Sequence, residues 1–306
     1  MSLISLAPEQ CQDSLDSNKL YFIDVKGIQT RFYKDGQGEP LILLHGGNFG
    51  SLYSLDSWSL NLPGLAKEFQ VIALDKIGQG YTDNPETDAD YTYERLFAHT
   101  CDFFRSQGIE KAHWVGHSRG AHLATYVALQ HPEWVKSLIM VDTSTTAPEE
   151  PTIPSGQFYA EVEAMIPPGA DYATIVRSEP EAQAFSKEQI TDDFISRMET
   201  IFQLSKMQLA REKMRILGAS TWIPSLNKKR EEVLARIAEG ELRVPTLIMW
   251  GYNDRSAPFS LGINLYEKVC RTVPSAELYV VNGAGHYSFR EQPQAFNTTL
   301  KSFCLR

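Results

Sequence analysis

Residues 115–120 read Val-Gly-His-Ser-Arg-Gly, a Gly-x-Ser-x-Gly pattern where an apolar, strand-like run (113–116) gives way to a helical one (121–130). A serine on such a strand-to-helix turn projects its hydroxyl from the sheet edge. Gly116 and Gly120 supply the missing Cβ atoms that the tight turn requires. A serine hydroxyl attacks a carbonyl only when a general base takes its proton, and that base must itself be oriented by an acid. Both partners follow in the chain. Asp254 lies in Trp-Gly-Tyr-Asn-Asp-Arg after the apolar run 246–250, and His286 lies in Asn-Gly-Ala-Gly-His after the run 278–281. Taken singly they read as a turn aspartate and a loop histidine. Their order, each at the carboxyl end of a strand-like run, points to Ser118 as nucleophile, His286 as base and Asp254 as orienting acid. Asp142, after the run 138–141, is the rival acid, but the turn 251–255 is better built to present Asp254.

An attacked carbonyl develops negative charge on oxygen, which two backbone N–H groups can hold. The residue after the nucleophile, Arg119, offers one. The loop His45-Gly46-Gly47 after an early strand-like run offers the other at Gly47, where glycine lets backbone approach a ligand closely. Asn48 offers a side-chain donor at the same place, although a plain turn role is the stronger reading of it. His45 and His117 read as residues that hold local backbone rather than carry protons.

The elements that must position these groups alternate short apolar strands with helices, which predicts an α/β architecture with a mainly parallel sheet. Strand-like runs fall at 20–24, 28–33, 41–44, 71–74, 113–116 and 137–141. A helix is expected over 91–107, with Leu96, Phe103 and Phe104 on one face, and a second over 121–130, stopped by Pro132. From about 146 to 242 no strand is convincing; strands resume at 246–250 and 278–281. The expected organisation is a core domain formed by 1–145 and 243–306, with a helical cap of 146–242 inserted after the sixth strand. Loops at the carboxyl ends of such strands carry ligands, so the cap would enclose the site. Its aromatic and apolar residues, among them Phe158, Tyr159, Phe194 and Trp222, suggest a small-molecule substrate with an apolar body, although part of that set would serve as cap core.

The chain has 306 residues, 42% hydrophobic and 22% charged, within the range of a folded globular protein. A net charge of -9 argues against a nucleic-acid surface, and Lys228-Lys229-Arg230 is followed at once by Glu231-Glu232. Cys11, Cys101, Cys270 and Cys304 are scattered without metal-ligand or redox spacing and are expected to be reduced. The first ten residues lack the features of a secretory signal, and no apolar run is long enough to span a membrane. The expected compartment is the cytoplasm, with no metal, no organic cofactor and no membrane partner; a homo-oligomer is left open.

Together these residues resemble the α/β-hydrolase fold superfamily over nearly the whole chain. Within it the chain is most similar to the meta-cleavage-product hydrolases, which cut C–C bonds in ring-fission dienoates. The similarity lies in His45-Gly46-Gly47, in Asp75-x-x-Gly78-x-Gly80-x-Thr82-Asp83-Asn84-Pro85, in the Asp254 turn and in Gly285-His286. The cap pattern 190–195 leading to Arg197 also looks like the family's. The resemblance implies that Arg197 binds the substrate carboxylate, with Arg211 and Arg215 as rivals, and that Tyr287, where the family often has tryptophan, also meets the substrate. The elbow departs from the family in having His117 and Arg119 beside the serine. His-Ser-x-Gly elbows are common in esterases and lactonases, which stay open as alternatives, as do a cofactor-free dioxygenase or lyase and a ligand receptor on this fold. A serine at the elbow disfavours haloalkane dehalogenases and epoxide hydrolases, which place an aspartate there.

Overall fold

A computed structural model describes residues 13–150 and 156–306. The expectations for the first ten residues, for Cys11 and for part of the segment 147–154 lie outside that range. The strands are β1 (Leu20–Val25), β2 (Ile28–Asp35), β3 (Glu39–Leu44), β4 (Phe69–Leu74), β5 (Ala112–His117), β6 (Val135–Val141), β7 (Thr246–Gly251) and β8 (Glu277–Val281). They form one eight-stranded sheet in the order β1-β2-β4-β3-β5-β6-β7-β8. β2 runs antiparallel to both β1 and β4, and all other pairings are parallel. This is an α/β architecture with a mainly parallel sheet, as the alternation of elements predicts.

The helices of the first half are α1 (Leu62–Leu65), α2 (Tyr93–Ser106) and α3 (Arg119–Gln130). Between β6 and β7 come α4 (Gln157–Ala164), α5 (Tyr172–Gln183), α6 (Asp192–Gln203), α7 (Ser205–Leu217) and α8 (Ile223–Ala238). The last three are α9 (Phe259–Val269), α10 (Ser288–Glu291) and α11 (Pro293–Cys304). Every residue of β5 and β7 is buried, because helices cover both faces of the sheet. Strand alternation then sends Trp114 into the core beneath α2, α3 and α9, and Val115 into the core beneath α1 and α11.

The insertion between β6 and β7 is wholly helical among the described residues, and its helices do not all pack alike. Leu226, Val233 and Ile237 of α8 enter the same apolar cluster as Leu96, Leu123 and Leu265 of α2, α3 and α9. By packing, α8 therefore sits with the core domain, although the sequence boundary at 242 assigns it to the cap. Phe194, Ile195 and Met198 of α6 pack on the other side of the sheet, with Leu43 and Tyr287 in one cluster. Cys101, Cys270 and Cys304 are free thiols, and no helix among the described residues is long and apolar enough to cross a membrane.

One buried ion cluster ties three parts of the chain together. Asp13 accepts from Arg290 of α10 at 2.6 Å, from Arg197 of α6 at 2.6 Å and from Thr191 at 2.7 Å, and it also bonds Ser59. Burial alone would raise the Asp13 pKa; the two guanidinium groups and the Ser59 and Thr191 hydroxyls bring it down to about 2. A carboxylate held below its unfolded value stabilises the fold above that value and loses the effect as pH falls through the folded one. Removing one partner of a buried ion pair costs on the order of 3 kcal/mol. Asp13→Ala is therefore expected to lower unfolding free energy in urea by about that much near pH 7, with the difference from the parent protein vanishing as pH falls from about 4 towards 2.

Candidate active site

Ser118 caps the first turn of α3 with φ 53° and ψ -123°, a conformation side chains rarely adopt. Two contacts impose it. A Cβ on Gly116 would come within 2.2 Å of the Gly120 carbonyl oxygen, and one on Gly120 within 2.4 Å of the Leu44 oxygen. With neither Cβ present, α3 closes onto β3 and β5. The Ser118 N–H is held by the Val141 carbonyl of β6 at 2.9 Å.

His286 and Asp254 meet as their places at the ends of β8 and β7 predict. His286 Nδ1 lies 2.6 Å from Asp254 Oδ2. The other oxygen, Oδ1, accepts from the N–H groups of Ser256 and Ala257, both at 2.8 Å, so the carboxylate is fixed in the plane that orients the ring. Burial opposes charge on His286, but Asp254, with Asp142 and Glu179 behind it, raises the pKa above the ordinary histidine value. Asp142 is not the ring's partner. Its oxygens accept from the Gly251 N–H at 2.7 Å and the Ser288 hydroxyl at 2.6 Å, and burial together with Asp254 pushes its pKa far up.

The His286 loop is also bonded to the cap. The His286 N–H donates to the Gln183 carbonyl at the end of α5 at 3.0 Å. Glu291 accepts from Gly285 N–H at 2.8 Å with one oxygen, and from Phe185 and Ser186 N–H at 3.0 and 2.8 Å with the other. Burial raises the Glu291 pKa to about 7 despite these three donors.

The glycine loop is braced from below. His45 Nδ1 lies 2.9 Å from the Gly46 oxygen, and His45 Nε2 accepts from the Lys76 N–H at 3.2 Å, so His45 is the Nδ1–H tautomer holding backbone. The Lys76 side-chain nitrogen donates to the Gly47 oxygen at 3.0 Å. His117 Nε2 donates to the His286 carbonyl at 2.8 Å. Burial lowers both histidine pKa values well below the usual one, in keeping with neutral structural rings. Among the described residues the N–H groups of Gly47 and Arg119 have no acceptor in the protein. Two adjacent free donors beside a serine hydroxyl can hold an oxyanion.

These groups line a single cavity of about 150 Å³, a volume that holds a benzene-sized body. Ser118, His286, Gly47, Arg119, Asn48 and Tyr287 all contribute to its wall. Arg197 does not. It is bound into the Asp13 cluster and pairs with Asp56 at 3.0 Å, because those two buried carboxylates need a cation. Arg211 stacks over Phe202 and Arg215 pairs with Glu212, so neither rival lines the cavity. Of the cap aromatics, Tyr159 reaches the wall, whereas Phe194 and Trp222 are buried as packing. Sequence reading missed Ser51, Tyr53, Glu179 and Gln183, which also face the cavity.

The fold and this wall define a hydrolase of the α/β-hydrolase type, and the chain belongs to the α/β-hydrolase fold family, whose sequence model matches residues 39–293. It is similar to the 2-hydroxy-6-oxo-6-(2'-aminophenyl)hexa-2,4-dienoic acid hydrolase of Metapseudomonas resinovorans, at 26% identity over 93% of this chain and 90% of that one. A 2-hydroxymuconate semialdehyde hydrolase of Pseudomonas sp. (strain CF600) is also 26% identical, over 90% of each chain. A solved meta-cleavage product hydrolase from Pseudomonas fluorescens IP01 superposes with a TM-score of 0.74 at 25% identity, covering 92% of this chain and 96% of that one.

If His286 acts as base it must be neutral, so the acid limb of kcat/KM is expected above the ordinary histidine pKa of about 6.5. Asp254→Asn removes the main influence raising that pKa. It should move the limb to lower pH and cut kcat by about 10⁴ through loss of the correct tautomer, as a pH series of initial rates would read.

Proposed function

We propose that this protein is a serine hydrolase that cleaves the C–C bond of a 2-hydroxy-6-oxo-dienoate ring-fission product. The observation that carries the reading is that His286 shares a cavity wall with Ser118 while Asp254 stands 2.6 Å from its ring. In this reading the substrate's dienol first takes its keto form. Ser118 then gives its proton to His286 and attacks the ketone carbon, whose oxygen turns to the N–H groups of Gly47 and Arg119. The C–C bond breaks with its electron pair leaving on the carbon that the remaining C=C conjugates to the new keto group, giving a dienolate to which His286 returns the proton. Water, deprotonated by the same histidine, releases the acid and restores the serine. Relatives named for this chemistry match this chain over nine-tenths of both lengths, which supports the substrate class. Among the described residues Arg119 is the one arginine on the cavity wall and is the proposed partner of the substrate carboxylate, with its buried Nε free of any acceptor. Asn48 and Tyr287, both on the wall, would complete the substrate contacts.

Ester or lactone hydrolysis is the second reading. It is favoured by the absence, among the described residues, of a cap arginine from the cavity wall and needs only the same serine, histidine and N–H pair. The two readings part on one assay. A coloured 2-hydroxy-6-oxo-dienoate should lose its visible absorbance with the purified protein, and Ser118→Ala should slow that loss by about 10³-fold or more. A folded protein that leaves the colour intact but cleaves simple esters would establish the second reading instead.

A further inference from the structure

Helix α5 delivers to the cavity one carboxyl group that the serine chemistry does not use. Glu179 lies on the wall among Tyr53, Tyr159, Gln183 and Tyr287. The basic side chains near it on the cap are engaged elsewhere: Arg177 pairs with Asp192 and Glu181, and Lys187 also pairs with Glu181. The titratable groups that bear on Glu179 are His286, Arg119 and the three tyrosines. Burial raises its pKa, and the Tyr53 hydroxyl, His286 and Arg119 offset only part of that rise. A carboxylate in a small enclosed cavity is costly unless a ligand brings a positive charge or a strong donor to meet it.

The wall is thus two-sided in charge, with the Arg119 guanidinium beside the nucleophile and a carboxyl group on the cap. We propose that Glu179 determines specificity by receiving an amine or ammonium group of the substrate, so that the cavity selects carbonyl compounds carrying a basic nitrogen. This rests on the hydrolase reading and deepens it. A substrate bearing both a carboxylate and an amine would satisfy both walls, whereas one with a carboxylate directed at the cap would meet repulsion once Glu179 is ionised.

The test uses two p-nitrophenyl esters of matched length, that of β-alanine, ending in ammonium, and that of butanoic acid, ending in methyl. The ratio of their kcat/KM values cancels the titration of His286. The expected ratio is about tenfold or more in favour of the ammonium ester, the scale of one charge-assisted hydrogen bond, and it should grow with rising pH as Glu179 ionises. Glu179→Gln should bring the ratio to about one, which a purely structural role for Glu179 would not do, since such a role would change both rates together. Equal rates for the two esters in the parent protein, or a preference that survives Glu179→Gln, overturns the proposal while leaving the hydrolase reading intact. Butylammonium binding, followed by calorimetry in the Ser118→Ala protein, reads the site without turnover. Binding that weakens about tenfold or more on adding Glu179→Gln supports the assignment, and absence of binding overturns it. If neither ester nor dienoate is turned over by the folded parent protein, the hydrolase reading fails, and the calorimetry still decides the role of Glu179.

Discussion

Helix α3 can lie against β3 and β5 only because Gly116 and Gly120 bring no side chain to a contact between backbones. Everything at the site inherits its position from that contact. It bends the chain at Ser118 into φ 53°, so the hydroxyl stands clear of the sheet while the first N–H of α3, that of Arg119, points to the same space. The neighbouring strand β3 then places Gly47 within the same cavity wall, and β8 delivers His286 to it, backed by Asp254 from the end of β7. The strain at one residue is sustained by a strand, β5, that is buried throughout and by a helix buried from Gly120 to Leu129.

The charges around the serine are arranged with a consistent sense. His286 has three carboxyl groups acting on it, and Asp254 alone is bonded to its ring. His45, His117 and Lys76, in contrast, are buried without a carboxylate beside them, and burial pushes all three towards the neutral form. The loop under the Gly47 N–H is therefore braced by groups that carry little charge, and beside its tyrosines the described cavity wall is left with His286, Arg119 and Glu179 as its ionisable members.

How much of this could be read from the chain depended on how local each feature is. The elbow, the Asp254 turn and the His286 loop are short segments whose glycines and polar residues have to stand at strand ends, and their neighbours Gly47, Asn48, Arg119 and Tyr287 come with them. Arg197 is different, because its partners Asp13 and Asp56 are remote in sequence and nothing near it in the chain announces their demand for a cation. Glu179 was missed because Arg177, Glu181 and its own charge make α5 look like a solvated face. A signal was present all the same. Val176, Pro180 and Gln183 are the buried residues of α5, and Glu179 stands three residues after Val176 on that same inward side. A charged residue at an inward position of a cap helix asks for an explanation. Likewise α8 continues the helical run of the cap, but its apolar positions at 226, 233 and 237 find their partners in α2, α3 and α9.

The bonds joining the cap to the histidine loop carry a mechanical implication. The backbone at 183–186 and at 285–286 is stitched by the Gln183 carbonyl and by both oxygens of Glu291. Any displacement of this edge of the cap must either drag the imidazole with it or rupture that stitching. Admission of a ligand by this route is then coupled to the proton acceptor: it would either carry the ring with the edge of α5 or cost the bonds that hold 285–286 to the cap.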